Sequence, residues 1–454
     1  MPLGNVVRKV FEVDGSWTCP AGVKQVRVYA RAALYPAQVT GFGGSVIASD
    51  FNGNYAFVVG NNANQEFGNN ATAGTASTVQ ASLAPGPFLM VGPASCLHID
   101  GTYYTWSSQA NGEGGVGSVS TQSQPNPVVG GYKWKQITGA LGIRGGLLAS
   151  GAAYMFGRNV KGQLGDGTVV AKSSPVAVTG GFTWKTLALC NDAGPSSTED
   201  AHMLGITTAG VLYAWGNNAN GQLGVGNVVA RSSPVAVTGV SGIVFKACSV
   251  SADHSLAIAS DGTLYAWGAN THGQLGVGDQ VPRSSPIAVL GSTKFVACAA
   301  GAAISIAIST TGAAYCFGRG INGAIGDGTA LSKSSPTAVT GGFKFVSVGC
   351  GGGIGGVSNC YGITVDGVLK AWGDNSFGQL GDGTTVKKSS PVSITGSYTF
   401  RTIREAVITS RVVDVEPGTT YAITLFAAVA KFGDTPIFGD EAVGALPIQF
   451  VLEY

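Results

Sequence analysis

One repeating unit constrains the fold of this 454-residue chain more than any other feature. Its clearest copy runs from His254 to Gly291. That copy contains an alternating strand, an Asp-Gly turn, a second strand ending in Trp-Gly, a Gly-Gln-Leu-Gly loop and a Ser-Ser-Pro segment before a third strand. Successive aromatic-Gly steps lie 50 to 59 residues apart, which is the period of propeller blades of four strands.

Seven copies of the unit follow one another. An earlier, degenerate copy ends at Val59-Gly60, and the aromatic residues of the other six are Trp106, Phe156, Trp215, Trp267, Phe317 and Trp372. An X-Gly pair precedes each step at Gly53, Gly101, Gly151, Gly210, Gly262, Gly312 and Gly367, as a tight hairpin requires. No helical periodicity of useful length is present, so the sequence predicts an all-β protein with a seven-bladed β-propeller.

Two further recurring motifs predict structural devices. Five copies contain Ser-Ser-Pro, at prolines 175, 234, 286, 336 and 391, and proline suits an edge strand because it cannot donate to a ladder. Asp166, Asp327 and Asp382 each precede glycine, and we expect their carboxylates to stabilise turns. Each copy offers one carboxylate rather than a cluster, so turn stabilisation is favoured over calcium binding.

The phase of the repeat predicts how the ring closes. The first copy begins part-way, with the hairpin at Ser45 to Val59, and the last ends with a strand near Pro391 to Phe400. Pairing this late strand with the early hairpin would complete a blade and seal the ring, leaving only short edges. The predicted propeller spans residues 41–401.

The two chain ends, residues 1–40 and 402–454, fall outside the repeat. Strands are expected at Val10 to Val13, Val23 to Tyr29, Val412 to Val415, Tyr421 to Phe426 and Ile448 to Leu452. Neither end is long enough to bury a core alone, so we expect them to pack together as a small β-sandwich. The propeller would then be an insertion in this module.

The repeats resemble the regulator of chromosome condensation family of seven-bladed propellers. The segments Tyr213 to Val237 and Ala252 to Gly268 carry the resemblance. In that family one propeller face promotes guanine-nucleotide exchange on a small nuclear GTPase, and the fold also binds chromatin. No motif here allows those functional residues to be transferred, and the basic tail of the family is absent, so the fold alone carries no activity across.

The chain ends resemble glycine-rich β modules of bacteriophage tail and other virion proteins. The resemblance rests on SWTCPAGVKQVRVYA near the start, then VEPGTTYAITL and Phe438-Gly439 near the end. In such modules a glycine-rich excursion separates the two motifs. Here the propeller would replace that excursion, and the polyglycine tract is missing.

Charge and hydropathy limit the classes of partner that the chain is expected to bind. The formal net charge is +2, charged residues are 11% of the chain, and no run of basic residues stands out. Attraction to nucleic acid or to an anionic membrane is therefore not expected. Because the first residues lack the apolar core of a secretory signal and no apolar segment is long enough to span a bilayer, we expect a chain made without export.

No catalytic or cofactor-binding set stands out. His202 and His254 recur at one position relative to the blade tryptophan, which predicts a structural hydrogen bond within a blade. The recurring tryptophans predict core between blades rather than platforms for sugars. No nucleophile elbow, zinc-protease motif or phosphate-binding loop is present, so we expect no enzyme activity, metal or cofactor.

Two irregular insertions offer the candidate binding residues. The segments 191–203 and 349–360 lengthen the same inter-strand loop in two blades, and loops on a rigid scaffold commonly bind ligands. The candidates are Asp192, Glu199, Asp200 and Asn359. Neutral variation in loop length explains the insertions as well. Cys350 and Cys360 lie in one of these loops and can pair, although a reducing cytoplasm opposes a disulfide.

The leading hypothesis from the sequence is a bacteriophage virion structural protein made in the host cytoplasm. The end module would attach it to other virion proteins, as a homo-oligomer, and the propeller would contact a host glycan or protein as a decoration or tail-fibre module. The alternatives are a regulatory propeller, such as an exchange factor for a small GTPase, with charged residues concentrated on one face, and a bacterial surface adhesin. An enzyme of the host envelope is a further alternative.

Overall fold

The structure is a computed structural model. It describes residues 95–98, 100–107, 111–120, 122–140, 142–189, 201–352, 358–376 and 378–394, and outside these ranges the backbone of strands alone. Within this part of the chain the protein is built almost wholly of strands, and the single helical segment is a 3₁₀ turn at Ile321–Gly323. The all-β prediction is confirmed.

The strands in chain order are β1 Arg8–Phe11, β2 Gly15–Thr18, β3 Gln25–Ala32, β4 Val39–Phe42, β5 Ser45–Ser49, β6 Ala56–Gly60, β7 Thr75–Gln80, β8 Phe88–Gly92, β9 Ser95–His98, β10 Tyr103–Ser107, β11 Gln122–Pro127, β12 Trp134–Ala140, β13 Ile143–Leu148, β14 Ala153–Gly157, β15 Lys172–Ala177, β16 Trp184–Leu189, β17 His202–Thr207, β18 Leu212–Gly216, β19 Arg231–Ala236, β20 Phe245–Val250, β21 His254–Ala259, β22 Leu264–Gly268, β23 Arg283–Ala288, β24 Phe295–Gly301, β25 Ile304–Ser309, β26 Ala314–Gly318, β27 Lys333–Ala338, β28 Phe345–Gly352, β29 Ser358–Thr364, β30 Leu369–Gly373, β31 Lys388–Ser393, β32 Thr409–Asp414, β33 Thr420–Leu425, β34 Ala430–Phe432, β35 Thr435–Pro436 and β36 Ile448–Glu453.

The chain divides into two compact units. One combines residues 1–36 with 403–454, and the other holds residues 37–402. In the first unit the strands form two four-stranded sheets, ordered β1-β36-β3-β32 and β2-β33-β34-β35. Strands from the two chain ends therefore pair directly, as β1 does with β36 and β3 with β32.

The second unit contains seven four-stranded sheets, each made of four consecutive antiparallel strands. We number these blades 1 to 7, from β4–β7 to β28–β31. The first strand of each blade from 3 to 7 contacts the first strand of its neighbours, and β28 of blade 7 contacts β4 of blade 1. The first strands are thus the inner strands of a closed seven-bladed ring, as predicted.

The predicted mode of closure is wrong. The strand Lys388–Ser393 pairs with β30 of its own blade, not with the early hairpin. The inner strand of blade 1 is β4, which pairs with β5. Blades 7 and 1 therefore meet by packing, without exchange of a strand between the two ends of the ring.

The hairpin turns form as the X-Gly pairs predict. Gly262 takes a positive φ of 86°, which glycine adopts without penalty. The carboxylate of Asp261 accepts the backbone N–H of Thr263 at 2.9 Å and so closes the turn. The Gly262 carbonyl then accepts the backbone N–H of Phe295, the first residue of the next inner strand, at 2.8 Å. Each described turn from blade 2 to blade 6 makes this bond to the following blade.

The Ser-Ser-Pro segments lie in the outermost strands, as predicted. In blade 5 the ladder register shifts between Ala266 and Gly268, opposite Ser284, Ser285 and Pro286. The bulge leaves the Ser284 carbonyl facing the previous blade, where it accepts the backbone N–H of Gly226 at 2.8 Å. Ser-Ser-Pro therefore links neighbouring blades in addition to ending a sheet.

The core lies between blades. Trp267 of blade 5 is fully buried and packs with Leu204 and Ile206 of blade 4. Its indole Nε1 donates to the Gln222 carbonyl at 2.8 Å, so its polar atom is also satisfied. Trp215 and Trp372 make the same bond to the loop of the preceding blade. The prediction that these tryptophans are inter-blade core is confirmed.

Candidate functional site

The two recurrent histidines link blades. His202 of blade 4 places its Nε2 2.6 Å from the hydroxyl of Ser255 in blade 5. His254 of blade 5 repeats the contact to Ser305 of blade 6 at 2.9 Å. Both rings are fully buried. The structural role is confirmed. His254 makes the predicted hydrogen bond within its blade, between Nδ1 and the Ser251 hydroxyl at 2.6 Å, but the Nε2 contacts of both histidines cross a blade boundary.

Asp253, His254 and Ser305 have the connectivity of a catalytic triad. The Asp253 carboxylate lies 3.1 Å from His254 Nδ1, and Nε2 contacts the Ser305 hydroxyl. Ser305, however, is fully buried, and its hydroxyl donates to the Gln274 carbonyl at 2.7 Å. A nucleophile must reach substrate, so this arrangement serves packing rather than acyl transfer.

The Asp-Gly loops are held by their own side chains. Asp382 accepts the Thr384 backbone N–H at 3.0 Å and its hydroxyl at 2.7 Å, and its second oxygen lies 3.2 Å from Lys388 Nζ. Asp166 and Asp327 repeat the threonine contacts. These hydrogen bonds lower the carboxyl pKa values against the opposing effect of burial. The predicted role in turn stabilisation is confirmed.

A buried asparagine holds each of four loops, and the sequence analysis did not single it out. Asn218 accepts the Leu223 backbone N–H and donates to the carbonyls of Asn227 and Val229, at 2.9 to 3.0 Å. The equivalent residues are Asn159, Asn270 and Asn375. The available signal was the recurrence of asparagine three residues before Gly-Gln-Leu-Gly. These loops are therefore rigid.

Of the four candidate binding residues, Asn359 alone lies in the described part of the chain. Asp192, Glu199 and Asp200 lie outside the described residues. Asn359 was placed in an irregular loop, but it lies within β29, opposite Gly373, with 2% of its surface exposed. It occupies the ladder position that His254 holds opposite Gly268, and its amide bonds the Tyr361 hydroxyl. The loop location was wrong, because the β28–β29 hairpin continues to Gly352 and Ser358.

One face of the propeller concentrates lysines. Because each inner strand starts beside the hairpin turn of the previous blade, all these starts and turns share one side, which we call the hairpin face. Lysines at or just before the starts of the inner strands of blades 3 to 7 are Lys133, Lys135, Lys185, Lys246, Lys294 and Lys344. The described turns on this face contribute the carboxylates of Asp100, Asp261 and Asp366.

The lysines outnumber their acidic partners. Lys133 lies 3.6 Å from Asp100, and Lys294 lies 2.8 Å from Asp261. Among the described residues, no ion pair reaches Lys135 or Lys185, both of which are exposed. Sequence reasoning missed this surface because one or two lysines per blade form no run along the chain. Charges scattered at the blade period converge when the blades close into a ring.

A cavity of about 220 Å³ lies between the inner strands of blades 3 to 7. Small residues line it, among them Thr138, Ala188, Ser249, Ala299 and Gly349. Hydrogen bonds cross between inner strands here, from the Gln136 amide to the Leu187 carbonyl and from the Ala300 N–H to the Ser249 hydroxyl.

No group of three or more His, Cys, Asp or Glu residues in the described part of the chain is placed to hold a metal ion. A helix with the length and apolar character needed to cross a bilayer is likewise absent from the described residues.

The blades, their inter-blade tryptophans and the loop geometry define a seven-bladed β-propeller. The chain matches the repeat described as regulator of chromosome condensation (RCC1) at residues 209–258, 261–308 and 366–425. A second description of the same repeat matches residues 246–274. The predicted resemblance of the repeats is confirmed, whereas the resemblance of the chain ends to virion modules is not shown.

Curated relatives share the repeat over part of their length. The ultraviolet-B receptor UVR8 of Arabidopsis thaliana is 29% identical over 197 residues, covering 43% of this chain and 44% of that protein. The protein RCC2 homolog of Danio rerio is 41% identical over 91 residues, covering 20% of this chain and 18% of that protein. The chain therefore spans less than half the length of each of these two relatives.

Solved structures agree on the fold. The crystal structure of Prp20p from Saccharomyces cerevisiae, reported with its binding to Gsp1p and histones, has a TM-score of 0.62 at 19% identity, over 84% of this chain and 88% of that one. Human WBSCR16 has a TM-score of 0.54 at 17% identity, over 82% and 94%. At these identities the likeness establishes the fold alone.

Proposed function

We propose that this chain is a non-catalytic interaction protein whose propeller binds a partner protein through the hairpin face. The observation that carries the proposal is the set of lysines that blades 3 to 7 place on that face with few acidic neighbours. A surface with one dominant sign of charge favours encounter with a partner of the opposite sign. The partner surface is therefore acidic.

The scaffold suits binding better than chemistry. The Asp253–His254–Ser305 arrangement is closed off from substrate by burial. The hairpin turns, in contrast, are fixed by hydrogen bonds to neighbouring blades, so the lysines stand on a preorganised support. Prp20p, whose structure shares the fold, is reported to bind Gsp1p and histones, which supports a regulatory protein-binding role over a virion role.

The test uses matched charge reversals on opposite faces. Lys135→Glu with Lys185→Glu changes the hairpin face, whereas Lys161→Glu with Lys387→Glu makes the same change in net charge on exposed loops at the opposite side. The probe is a purified small nuclear GTPase loaded with a fluorescent guanine nucleotide. Binding is measured by biolayer interferometry, and nucleotide release is followed by fluorescence.

We expect the intact chain to bind the GTPase, the hairpin-face variant to bind at least tenfold more weakly, and the loop-face variant to bind as the intact chain does. Faster nucleotide release would identify an exchange factor, whereas binding alone would identify another regulator. The GTPase is used because the resemblance of the repeats implies it as the partner, and no binding by the intact chain would overturn that choice of partner. An equal loss in both variants overturns the assignment of the hairpin face.

Attachment to a virus particle is the second candidate function. Its structural support is that strands from the two chain ends pair in a unit of their own. Mass spectrometry of purified particles tests it. The chain should copurify with particles in constant proportion, and its absence from them would remove this candidate.

A further inference from the structure

Three buried thiols meet where blades 6 and 7 pack together. Cys350 of β28 and Cys360 of β29 face each other directly in the ladder, and their Sγ atoms lie 3.1 Å apart. A side-chain hydrogen bond also joins Cys316 of β26 in blade 6 to Cys360. All three are in the thiol form, and 7% of the surface of Cys350 is exposed, against 0% for the other two.

The backbone already fits a disulfide. Directly opposite residues in an antiparallel ladder have Cα atoms about 4.5 to 5.5 Å apart, and disulfides span Cα separations of about 4.4 to 6.8 Å. The two sulfur atoms must therefore approach by about 1 Å to reach bonding distance, which rotation of the side chains can supply. No rearrangement of the blade is needed.

A small molecule can reach this pair from the centre of the ring. Cys350 lines the central cavity of about 220 Å³, and its neighbours Val348 and Gly349 also line it. A water molecule occupies roughly 30 Å³ in the liquid, so the cavity admits molecules the size of a peroxide. Cys316 and Cys360 lie behind the cavity wall, since neither lines it.

Hydrogen bonding lowers the pKa of the Cys360 thiol. Burial acts to raise the pKa of Cys360, but the hydrogen bonds from Cys316 and Cys350 outweigh burial and lower it to about 6. The thiolate is the reactive form of cysteine. By contrast, burial raises the thiol pKa values of Cys248 and Cys298, which are matched reference residues on inner strands.

We propose that Cys350 and Cys360 form a disulfide in response to hydrogen peroxide entering the central cavity, while Cys316 positions the sulfur of Cys360. The Cys360 thiolate accepts the proton of Cys350 across their contact, and the Cys350 sulfur attacks a peroxide oxygen. An S–O bond forms, the O–O bond breaks, and the departing hydroxide takes the proton now on Cys360 to become water. The Cys360 thiolate then attacks the sulfur of the resulting Cys350 sulfenic acid, the S–O bond breaks, and the second hydroxide takes from solvent the proton that Cys360 released on ionising, which gives the second water. Two thiols are oxidised by two electrons, and one peroxide is reduced to two waters.

The test maps cysteines in the full chain after treatment with hydrogen peroxide. Remaining thiols are alkylated under denaturing conditions, and peptides are identified by mass spectrometry. We expect a Cys350–Cys360 disulfide that dithiothreitol reverses, with Cys248 and Cys298 still alkylated. Alkylation of both Cys350 and Cys360 after treatment, or a bond from Cys360 to Cys316 instead, would overturn the proposal.

Two variants separate the roles of the three thiols. In Cys360→Ser, Cys350 should react more slowly, because its proton acceptor is lost, and its oxidation should stop at the sulfenic acid, which dimedone traps. An unmodified Cys350 in that variant would contradict access through the cavity. In Cys316→Ser the Cys350–Cys360 bond should still form, more slowly, and its complete loss would show that Cys316 is a reacting partner instead of a positioning residue.

Discussion

The buried ring of His202 should make the propeller sensitive to mild acid. Ser255 donates its hydroxyl hydrogen to the Gln222 carbonyl at 2.8 Å, so it must accept the hydrogen bond from His202 Nε2–H. The Nδ1 atom has no partner among the described residues. His202 is therefore a neutral ring. Burial, with a smaller contribution from the neighbouring His254, lowers its pKa to about 3, and Asp253 opposes this shift.

The sign and size of the acid effect follow from this pKa. An unfolded histidine has a pKa of about 6.5, so between pH 6.5 and 3 the unfolded chain binds a proton that the folded chain does not. Stability from this group is complete above pH 6.5 and is lost as the pH falls. Between pH 7 and pH 5 the free energy of unfolding should drop by about 2 kcal/mol through His202 alone.

The substitution His202→Gln isolates this contribution, because glutamine keeps an amide donor near the position of Nε2 and does not titrate. Urea unfolding followed by tryptophan fluorescence at pH 7 and pH 5 measures both proteins. The intact chain should lose about 2 kcal/mol more than the variant between the two pH values. All other titrating groups are common to both proteins and cancel. Equal losses would refute the assignment of a neutral, buried His202.

Two further substitutions probe the contacts between blades and within loops. Gly224→Ala should destabilise by about 1 to 3 kcal/mol more than Gly239→Ala, because both have a positive φ but only at Gly224 would a Cβ meet Trp267, at 2.8 Å. Equal urea midpoints for the two variants would contradict that fit. Asn218→Ala should lower the free energy of unfolding by about 2 to 4 kcal/mol, since it leaves buried backbone groups of its loop without hydrogen-bond partners. Asn220→Ala, at an exposed position nearby, should change the free energy of unfolding by no more than about 0.5 kcal/mol. Thermal unfolding compares the two variants, and a similar loss of stability in both would contradict the role of the buried Asn218 side chain.

The blades were predictable because their signals are local. Asp261-Gly262 fixes a hairpin within four residues, and the structure places strands His254–Ala259 and Leu264–Gly268 on either side of it. The mode of closure was not predictable in the same way. The strand Val39–Phe42 is four residues long and carries no motif of the repeat, so nothing in the sequence marked it as the inner strand of blade 1.

Contacts between blades are hidden by the repeat itself. Ser255 lies 53 positions after His202, which is close to one period of the repeat. A residue that contacts the next blade therefore recurs at the same spacing as a residue that acts within its own blade, and the sequence does not distinguish the two cases. The same ambiguity covers the Ser-Ser-Pro carbonyl and the tryptophan Nε1. Only closure of the ring shows that these groups bond to a neighbour.

One departure from the repeat, at Cys360, also lies at a position where neighbouring blades are in contact. Cys360 occupies the ladder position that Ser255 and Ser305 hold in blades 5 and 6, next to the residue opposite the glycine of the aromatic-Gly step. In those blades a histidine of the preceding blade bonds the serine. Blade 6 has Ile304 in place of that histidine, so it offers no imidazole to the equivalent position in blade 7, which is Cys360. Cys316 and Cys350 form hydrogen bonds with Cys360 instead. A position that elsewhere joins blades by a hydrogen bond thus supplies one sulfur of the proposed disulfide.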